Sequence, residues 1–518
     1  MTLKRSEESQ RDPKQAERER KRKRNGEIKQ TLYEATQSTT AHGLPNIFRC
    51  ENILLKLMWI VCTIGSTYYC IYSIVQSVNA YFQWGVVTQI QTFYENPTEY
   101  PTITMCNANL VTTYDGLEFV SQVLKNNSID DVRYTNLLQP YEMNQQGANV
   151  YTARLLTLSN MNAASDEQKK SFGYTHHFVM SVCMFGNNVC DMDRDFRYYF
   201  HQEYGTCFQF NSGRNGSSGE HIEPLSSSST GKRFGLNAMI FVVYPLAYLS
   251  SSVSTDYGLY VLVHNRTESP LSTKYIAVSP GTSTNIVLSK TFHKKLPDPY
   301  NDCHDNLTPQ SKRFTSFFYR KTFELGYEYK QRDCLNLCVQ DYIINACNCS
   351  SPLQPPLYNV PFCKTRDDIG CIFLNLFMLY YTRADSSFTD YCPMECSSTK
   401  YDLTVSSTLF PSPENSAMIA NDTRTKERYQ YTNKTLTAES VRENYVWLNI
   451  YFDDLQYTLI SESPQQTDLD LMSNVGGTLG LYLGVSFLSF VELFEAFFQT
   501  LIIVFKNRKQ PPKIQSKA

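Results

Sequence analysis

Two glutamates stand where acids are costly. Residues 475–505 run for 31 residues with Glu492 and Glu495 as the only charges. A straight helix of that length spans about 46 Å, against a hydrocarbon core of about 30 Å. The stretch must therefore tilt, break or project beyond a bilayer. Acids inside a membrane helix usually face a polar path, and a ring of them favours cations. Gly476, Gly480 and Gly484 follow at i, i+4 and i+8, a glycine face that lets neighbouring helices approach closely. Leu488, Glu492, Glu495 and Gln499 continue the face of Gly484. Gly484-Val485-Ser486 is a weak point where backbone carbonyls could leave the helical ladder. At membrane depth this is tolerated only where the backbone is buried or lines water. Two readings stand on these residues: a cation pore, or an anchor whose glycines pack against a partner and whose acids snorkel.

Other elements must hold this stretch. The chain has 518 residues, too many for one compact soluble core, and a net charge of −2 gives no ground for nucleic-acid binding. Charge is segregated instead. Residues 1–50 carry twelve Lys or Arg, with a run at 18–24. This is read as a solvated, disordered cytoplasmic tail beside a membrane helix, although such a run can also mimic a nuclear signal. Residues 53–78 are apolar and long enough to span, with Lys56 placed to snorkel. They begin too late for a cleavable signal peptide. Lys506, Arg508 and Lys509 follow the second apolar stretch. Both termini are therefore expected in the cytoplasm, with the residues between the helices outside the cell.

Two features agree with that placement. Asn-x-Ser/Thr sequons occur at Asn126, Asn215, Asn265, Asn306, Asn348, Asn421 and Asn433, and thirteen of the sixteen cysteines also lie between the helices. This fits an oxidising compartment and a disulfide framework. The cluster Cys334, Cys338, Cys347, Cys349, Cys363, Cys371, Cys392 and Cys396 could by spacing hold zinc, but an extracellular location favours disulfides. Cys334 and Cys338, i and i+4 on a helix, face one side. Hydrophobic patterning predicts strands at 100–107, 259–263, 284–288, 446–452 and 455–460, and helices at 115–125 and 166–171. Residues 406–437 read as a helical or exposed region. Arg194-Asp195-Phe196-Arg197 is a minimal protease pattern, more simply a solvated helix face. The eight histidines are scattered, with no nucleophile elbow or zinc signature. No catalytic residue, metal or cofactor is expected. A two-helix ectoenzyme or adhesion scaffold remains the distant alternative to a channel.

The string GGTLGLYLGVSFLSFVELFE, residues 476–495, closely resembles the second transmembrane helix of the degenerin/epithelial sodium channel/acid-sensing channel superfamily. Its Gly-x-Ser selectivity element matches Gly484, Val485 and Ser486. His42-Gly43 resembles the family's cytoplasmic His-Gly motif, and Trp59 an aromatic of its first helix. Tyr100 to Asn107, Tyr204 to Gly213, Val278 to Thr282, Asp333 to Cys349 and the strand pattern at 446–460 are similar to further family strings. The likeness runs from Ala41 to Lys506 and fails only in the variable finger, within 111–200, where ligand specificity tends to sit.

The resemblance implies an α+β membrane protein. Two transmembrane helices (53–78 and 471–505) flank a large disulfide-rich β-core extracellular domain (79–470) of finger, thumb, palm, knuckle and β-ball. Cytoplasmic tails occupy 1–52 and 506–518. It further implies a homo- or heterotrimeric, amiloride-sensitive, sodium-selective channel in the plasma membrane, with Gly484, Val485 and Ser486 as selectivity filter and Glu492 and Glu495 as pore acids. His42, Gly43 and Ser473 carry over to gating, and Trp84 and Tyr300 are expected to touch. The implied disulfides are Cys106–Cys207, Cys183–Cys190, Cys303–Cys396, Cys338–Cys392, Cys347–Cys371 and Cys349–Cys363, which leaves Cys334 odd. Asn126, Asn215, Asn265, Asn306, Asn421 and Asn433 are the expected glycan acceptors. The histidine pair of acid-sensing members falls on Gly85 and Val86, which weakens proton gating. An extracellular neuropeptide, as in FMRFamide-gated sodium channels, is the expected stimulus, its site unknown. Proton gating, mechanical gating and constitutive opening are the alternatives, and an ATP-gated trimer shares only the topology.

Overall fold

Two units divide the chain: residues 1–87 together with 463–518, and residues 88–462. The computed structural model describes residues 13–38, 43–129, 150–242, 253–254, 256–381, 388–432 and 434–506. His42, Asn433 and the outermost parts of both tails lie outside those residues.

The first unit is helical. Its N-terminal part is α1 (Pro13–Ser38), α2 (Gly43–Arg49) and α3 (Ile53–Tyr81). The basic run expected as a disordered tail belongs to α1. Lys, Arg, Glu and Gln are good helix formers, and Tyr33 of α1 meets Phe48 of α2 edge-on at 6.2 Å. α3 starts at Asn52, whose side chain accepts the Leu54 N–H at 3.0 Å, and runs three residues past the expected end at 78. Its apolar side chains face outward: Ile53, Leu54, Val61 and Ile64 are 65–77 % exposed. A helix of 29 residues with so much exposed apolar surface is long and apolar enough to cross a bilayer.

The second unit is a two-sheet β core with helices attached. Its strands are β1 (Val86–Tyr94), β2 (Thr98–Glu99), β3 (Thr102–Asn107), β4 (Met180–Phe185), β5 (Asn188–Val189), β6 (Phe196–His201), β7 (Gly205–Phe210), β8 (Ser226–Ser227), β9 (Leu236–Phe241), β10 (Leu259–His264), β11 (Tyr275–Val278), β12 (Thr282–Lys294), β13 (Cys303–His304), β14 (Met394–Glu395), β15 (Ser397–Leu409) and β16 (Tyr445–Pro464). One sheet runs β15-β12-β16-β9-β4-β5, with β1 also on β16; β12 and β16 are parallel. The other runs β11-β10-β3-β7-β6, antiparallel throughout. Ile103, Met105, Phe210, Val261, Leu448 and Ile450 meet in the core between them. The Tyr100 hydroxyl crosses it to donate to Ile450 O at 2.8 Å.

The strand expected at 100–107 alternates in polarity but not in burial. Thr102 and Thr104 are as buried as Ile103 and Met105. Thr102 donates to Asn211 O at 2.9 Å, and Thr104 bonds His264 Nε2 at 2.9 Å. A second apolar cluster with Cys106, Tyr204 and Tyr260 covers the other face. Polar residues with internal partners can line a doubly covered strand.

The helices of this unit are α4 (Tyr114–Asn126), α5 (Val150–Asn162), α6 (Asp166–Ser171), α7 (His176–Val179), α8 (Met192–Asp195), α9 (Phe317–Phe323), α10 (Gln331–Cys347), α11 (Arg366–Tyr381), α12 (Pro413–Asn421), α13 (Thr423–Tyr429) and α14 (Ala438–Asn444). α4, α5, α10 and α11 share one core through Val120, Leu156, Ile343 and Ile372. In the Arg194–Arg197 pattern, Arg194 and Asp195 close α8 and Phe196, 1 % exposed, opens β6, a poor shape for a protease substrate.

Six disulfides staple this unit. Cys106–Cys207, Cys183–Cys190, Cys303–Cys396, Cys347–Cys371 and Cys349–Cys363 form as the resemblance implies. The expected Cys338–Cys392 bridge does not. Cys392 pairs with Cys334, and Cys338 is a buried thiol with its Sγ 3.7 Å from that of Cys392. One helical turn separates the two candidates, so both sulfurs reach the same partner. Of the expected glycan acceptors, Asn126, Asn306 and Asn421 are exposed. Asn215 and Asn265 are half-buried, their amide oxygens accepting the N–H groups of Ser217 and Thr267.

Candidate ion pathway

The long apolar stretch is two helices. α15 (Asp468–Leu483) stops one residue before Gly484, and α16 (Phe487–Lys506) begins one residue after Ser486. Gly484 has φ +65° and ψ 17°, the left-handed conformation that glycine adopts without a Cβ penalty and that commonly ends helices. Its N–H still reaches Gly480 O at 3.0 Å, and the Val485 N–H reaches Leu479 O at 3.3 Å. Beyond the link, Ser489 Oγ accepts the Ser486 N–H, and the Ser489 N–H donates to Ser486 O, both at 3.0 Å. Ending one helix and starting another takes terminal carbonyls and N–H groups out of the i→i+4 ladder. In a segment this apolar, such groups need water, an ion or another chain.

The entry to α15 is built from polar caps. The Asp470 carboxylate accepts the Thr467 N–H at 2.9 Å while Thr467 Oγ1 accepts the Asp470 N–H at 3.2 Å. The Tyr81 hydroxyl donates to Asp468 Oδ1 at 2.5 Å, tying the end of α3 to the start of α15. Lower on the same pair of helices, Tyr69 stacks on Tyr482 with centroids 6.5 Å apart.

A cavity of about 490 Å³ lies beside the break, lined by Gly43, Trp59, Thr63, Gly480, Gly484 and Val485 among others. Gly43, at the start of α2, sits tight against α3. A Cβ there would lie 2.7 Å from Thr63 Oγ1 and 3.2 Å from its Cγ2. Thr63 Oγ1 is itself bonded to Trp59 O at 2.7 Å. Sequence reasoning misses Thr63. Its signal is the small polar face of Thr63, Ser66 and Thr67 on an otherwise bulky apolar helix.

Glu492 and Glu495 lie on α16 along one face with Leu488 and Gln499. Glu492 is half-buried; Glu495 is exposed, and its Oε1 accepts the Gln499 amide at 3.1 Å. Among the described residues, and apart from the helix's own backbone, nothing lies within 4 Å of where a Cβ of Gly476, Gly477 or Gly480 would stand. Ser473 is exposed on α15. Trp84, at φ +51°, packs on Tyr81 and Phe82 at 5.2 and 5.9 Å. Tyr300, in the disulfide-rich unit, donates its N–H to Pro297 O at 3.0 Å.

Comparison with known proteins gives a consistent result. Residues 35–496 match the family described as "Amiloride-sensitive sodium channel". The chain is 25 % identical over 484 residues to the bile acid-sensitive ion channel of Rattus norvegicus, covering 90 % of this chain and 87 % of that one. It is 30 % identical over 325 residues to the epithelial sodium channel subunit beta of Mus musculus, covering 62 % of this chain and 48 % of that one. It is 23 % identical over 563 residues to the FMRFamide-activated amiloride-sensitive sodium channel of Cornu aspersum, covering 93 % and 85 %.

Proposed function

The chain belongs to the amiloride-sensitive sodium channel family, and from that premise we propose that it forms a trimeric, ligand-gated, sodium-selective channel of the plasma membrane, opened by an extracellular peptide. The helix break at Gly484-Val485-Ser486 carries this reading. Non-helical backbone in the middle of an apolar 31-residue stretch is stable only where it faces water or protein. Copies of the link around an axis place carbonyls where they replace part of an ion's hydration shell, and the Glu492 and Glu495 rings concentrate cations beside it. The bare glycine face of Gly476 and Gly480 leaves room for a neighbouring subunit. Both termini then lie in the cytoplasm.

The peptide stimulus rests on the FMRFamide-activated relative and on the lack of histidine at Gly85 and Val86. A peptide opens the channel only through a higher affinity for the open state. In this scheme His42, Gly43 and Ser473 act in gating. Trp84 and Tyr300 would meet and pass domain motion to α3; alanine at either then weakens activation, and unchanged gating in both variants removes that idea. The primary test is voltage clamp of cells expressing this chain alone, first with amidated neuropeptides at neutral pH and then with acid. An amiloride-sensitive sodium current with peptide, abolished by Glu492→Lys or Glu495→Lys at normal surface expression, supports the reading. Current only on acidification overturns the peptide assignment. Currents untouched by either charge reversal overturn the pore acids.

A further inference from the structure

We propose that His176, His177 and Asp193 form a binding site for a late first-row divalent metal ion of the zinc type, on the surface of the disulfide-rich unit. One ligand atom from each of the three side chains lies within 4.8 Å of the other two. His177 Nε2 and Asp193 Oδ1 are 3.1 Å apart. Two ligands of a tetrahedral zinc ion, with bonds of about 2.0–2.1 Å, stand roughly 3.3 Å from each other. The metal therefore replaces the shared proton of this pair with little movement. Imidazole with carboxylate is a ligand set that suits zinc and its neighbours rather than calcium or magnesium.

The surroundings are those of a supported site. His176 Nε2 lies 3.0 Å from the Met192 carbonyl. A carbonyl accepts only an N–H, so this contact holds the proton on Nε2 and leaves Nδ1 with its lone pair free, the outer-shell device that orients metal-binding histidines. The ring is fixed by stacking on Phe196 at 6.0 Å and by an edge contact with Phe208 at 5.4 Å.

The aspartate is singled out among its neighbours. Asp191 accepts the N–H groups of Asp193 and Arg194, and Asp195 accepts the N–H of Asp191, so both serve α8. The Asp193 carboxylate instead turns to His177. Its backbone is pinned by Ser217, whose N–H and hydroxyl donate to Asp193 O at 3.0 and 3.2 Å. The two halves of the site flank one hairpin. The histidines precede β4, Asp193 follows β5, and Cys183–Cys190 clamps the strands between them. The triad is thus preorganised by covalent and backbone bonds, while His177 and Asp193, with side chains 52 % and 71 % exposed, stay open to an arriving ion. The sequence hides it because His177 and Asp193 are 16 residues apart and the set fits no zinc spacing.

The test uses the full chain, purified in detergent, titrated with ZnCl2 by calorimetry and with Co2+ by its visible ligand-field absorption. His177→Ala and Asp193→Asn change exposed side chains, so their thermal midpoints without metal should match the parent. Each should weaken zinc binding by at least about tenfold, since even outer-shell losses cost 10–100-fold, and should abolish the Co2+ band. His221→Ala, an exposed histidine elsewhere, should change neither. Zinc affinity equal to the parent in both variants, or absence of zinc binding in the parent, overturns the site.

Discussion

The Cys334–Cys392 bridge closes a loop of 58 residues. In the chain-entropy account, such a cross-link stabilises the folded state by about 4 kcal/mol at 25 °C. The thiol of Cys338 lies 3.7 Å from the Cys392 sulfur, within about 2 Å of bonding distance, and the alternative loop has nearly the same length, 54 residues. Because the entropy varies only with the logarithm of loop length, the two bridges are worth the same to within about 0.1 kcal/mol before strain. Cys334→Ser should therefore cost under about 1 kcal/mol, because Cys338 takes over Cys392. Cys334→Ser combined with Cys338→Ser should lose the full value of about 4 kcal/mol. Cys338→Ser alone should be nearly silent. The assay is the denaturation midpoint of the full chain in detergent, with peptide mapping under non-reducing conditions to identify the bridge. Mapping of Cys334→Ser should recover a Cys338–Cys392 peptide. If that single variant is as unstable as the double, or if Cys338→Ser alone is the costly change, the reasoning fails.

Three further outcomes follow from named contacts. Gly43→Ala should depress current, since its Cβ would press on Thr63 Oγ1 at 2.7 Å; adding Thr63→Ala removes that atom and Cγ2, leaves Cβ at an ordinary 3.5 Å, and should restore it under voltage clamp. Arg428, 4 % exposed, donates to Phe178 O, Met180 O and Ser181 Oγ. Arg428→Ala should destabilise by about 3 kcal/mol or more, because bonds from a charged donor are worth about 1.5–3 kcal/mol each and leave buried acceptors when lost; thermal unfolding reads this. The carboxyl of Asp333 is pushed up to about 6, mainly by burial, against a bond from Ser272 that pulls the other way. A raised carboxyl pKa means that the folded state holds the proton more tightly than the unfolded chain. Its stabilisation is then complete below about 4 and is lost as pH rises through about 6, a change of up to about 3 kcal/mol. Asp333→Asn should flatten that part of the stability–pH curve, and an unchanged slope would contradict it.

The parts legible in the sequence are those that one local rule decides. Residues 166–171 form the expected helix because Ser165 and Gln168 make a capping box that stands without help from the rest of the fold. The bridges Cys106–Cys207 and Cys303–Cys396 cross long sequence gaps, and only the family resemblance could pair them. It could not decide between Cys334 and Cys338, because the geometry of one helical turn makes them equivalent to Cys392. The basic tail departs from expectation for a different reason. A run of like charges argues for disorder only when nothing packs on it, and α1 lies against α2 and α16.

The same logic separates the two sites. Gly484 is readable because glycine is the residue that tolerates φ +65°, and a glycine-serine link in an apolar segment announces a break from sequence alone. What surrounds the break is not readable. That Gly43 needs to be glycine is a statement about Thr63, 20 residues away, and no periodicity links them. The triad of His176, His177 and Asp193 is further still from local rules, since a disulfide-clamped hairpin brings its halves together. Loci of this second kind depend on pairs, so single substitutions at them are ambiguous: loss at Gly43 alone fits strain, misfolding or a direct role in the pathway. Rescue by the partner change distinguishes these. A shared steric contact predicts recovery in the double variant, whereas a direct role of the Gly43 backbone in conduction predicts none.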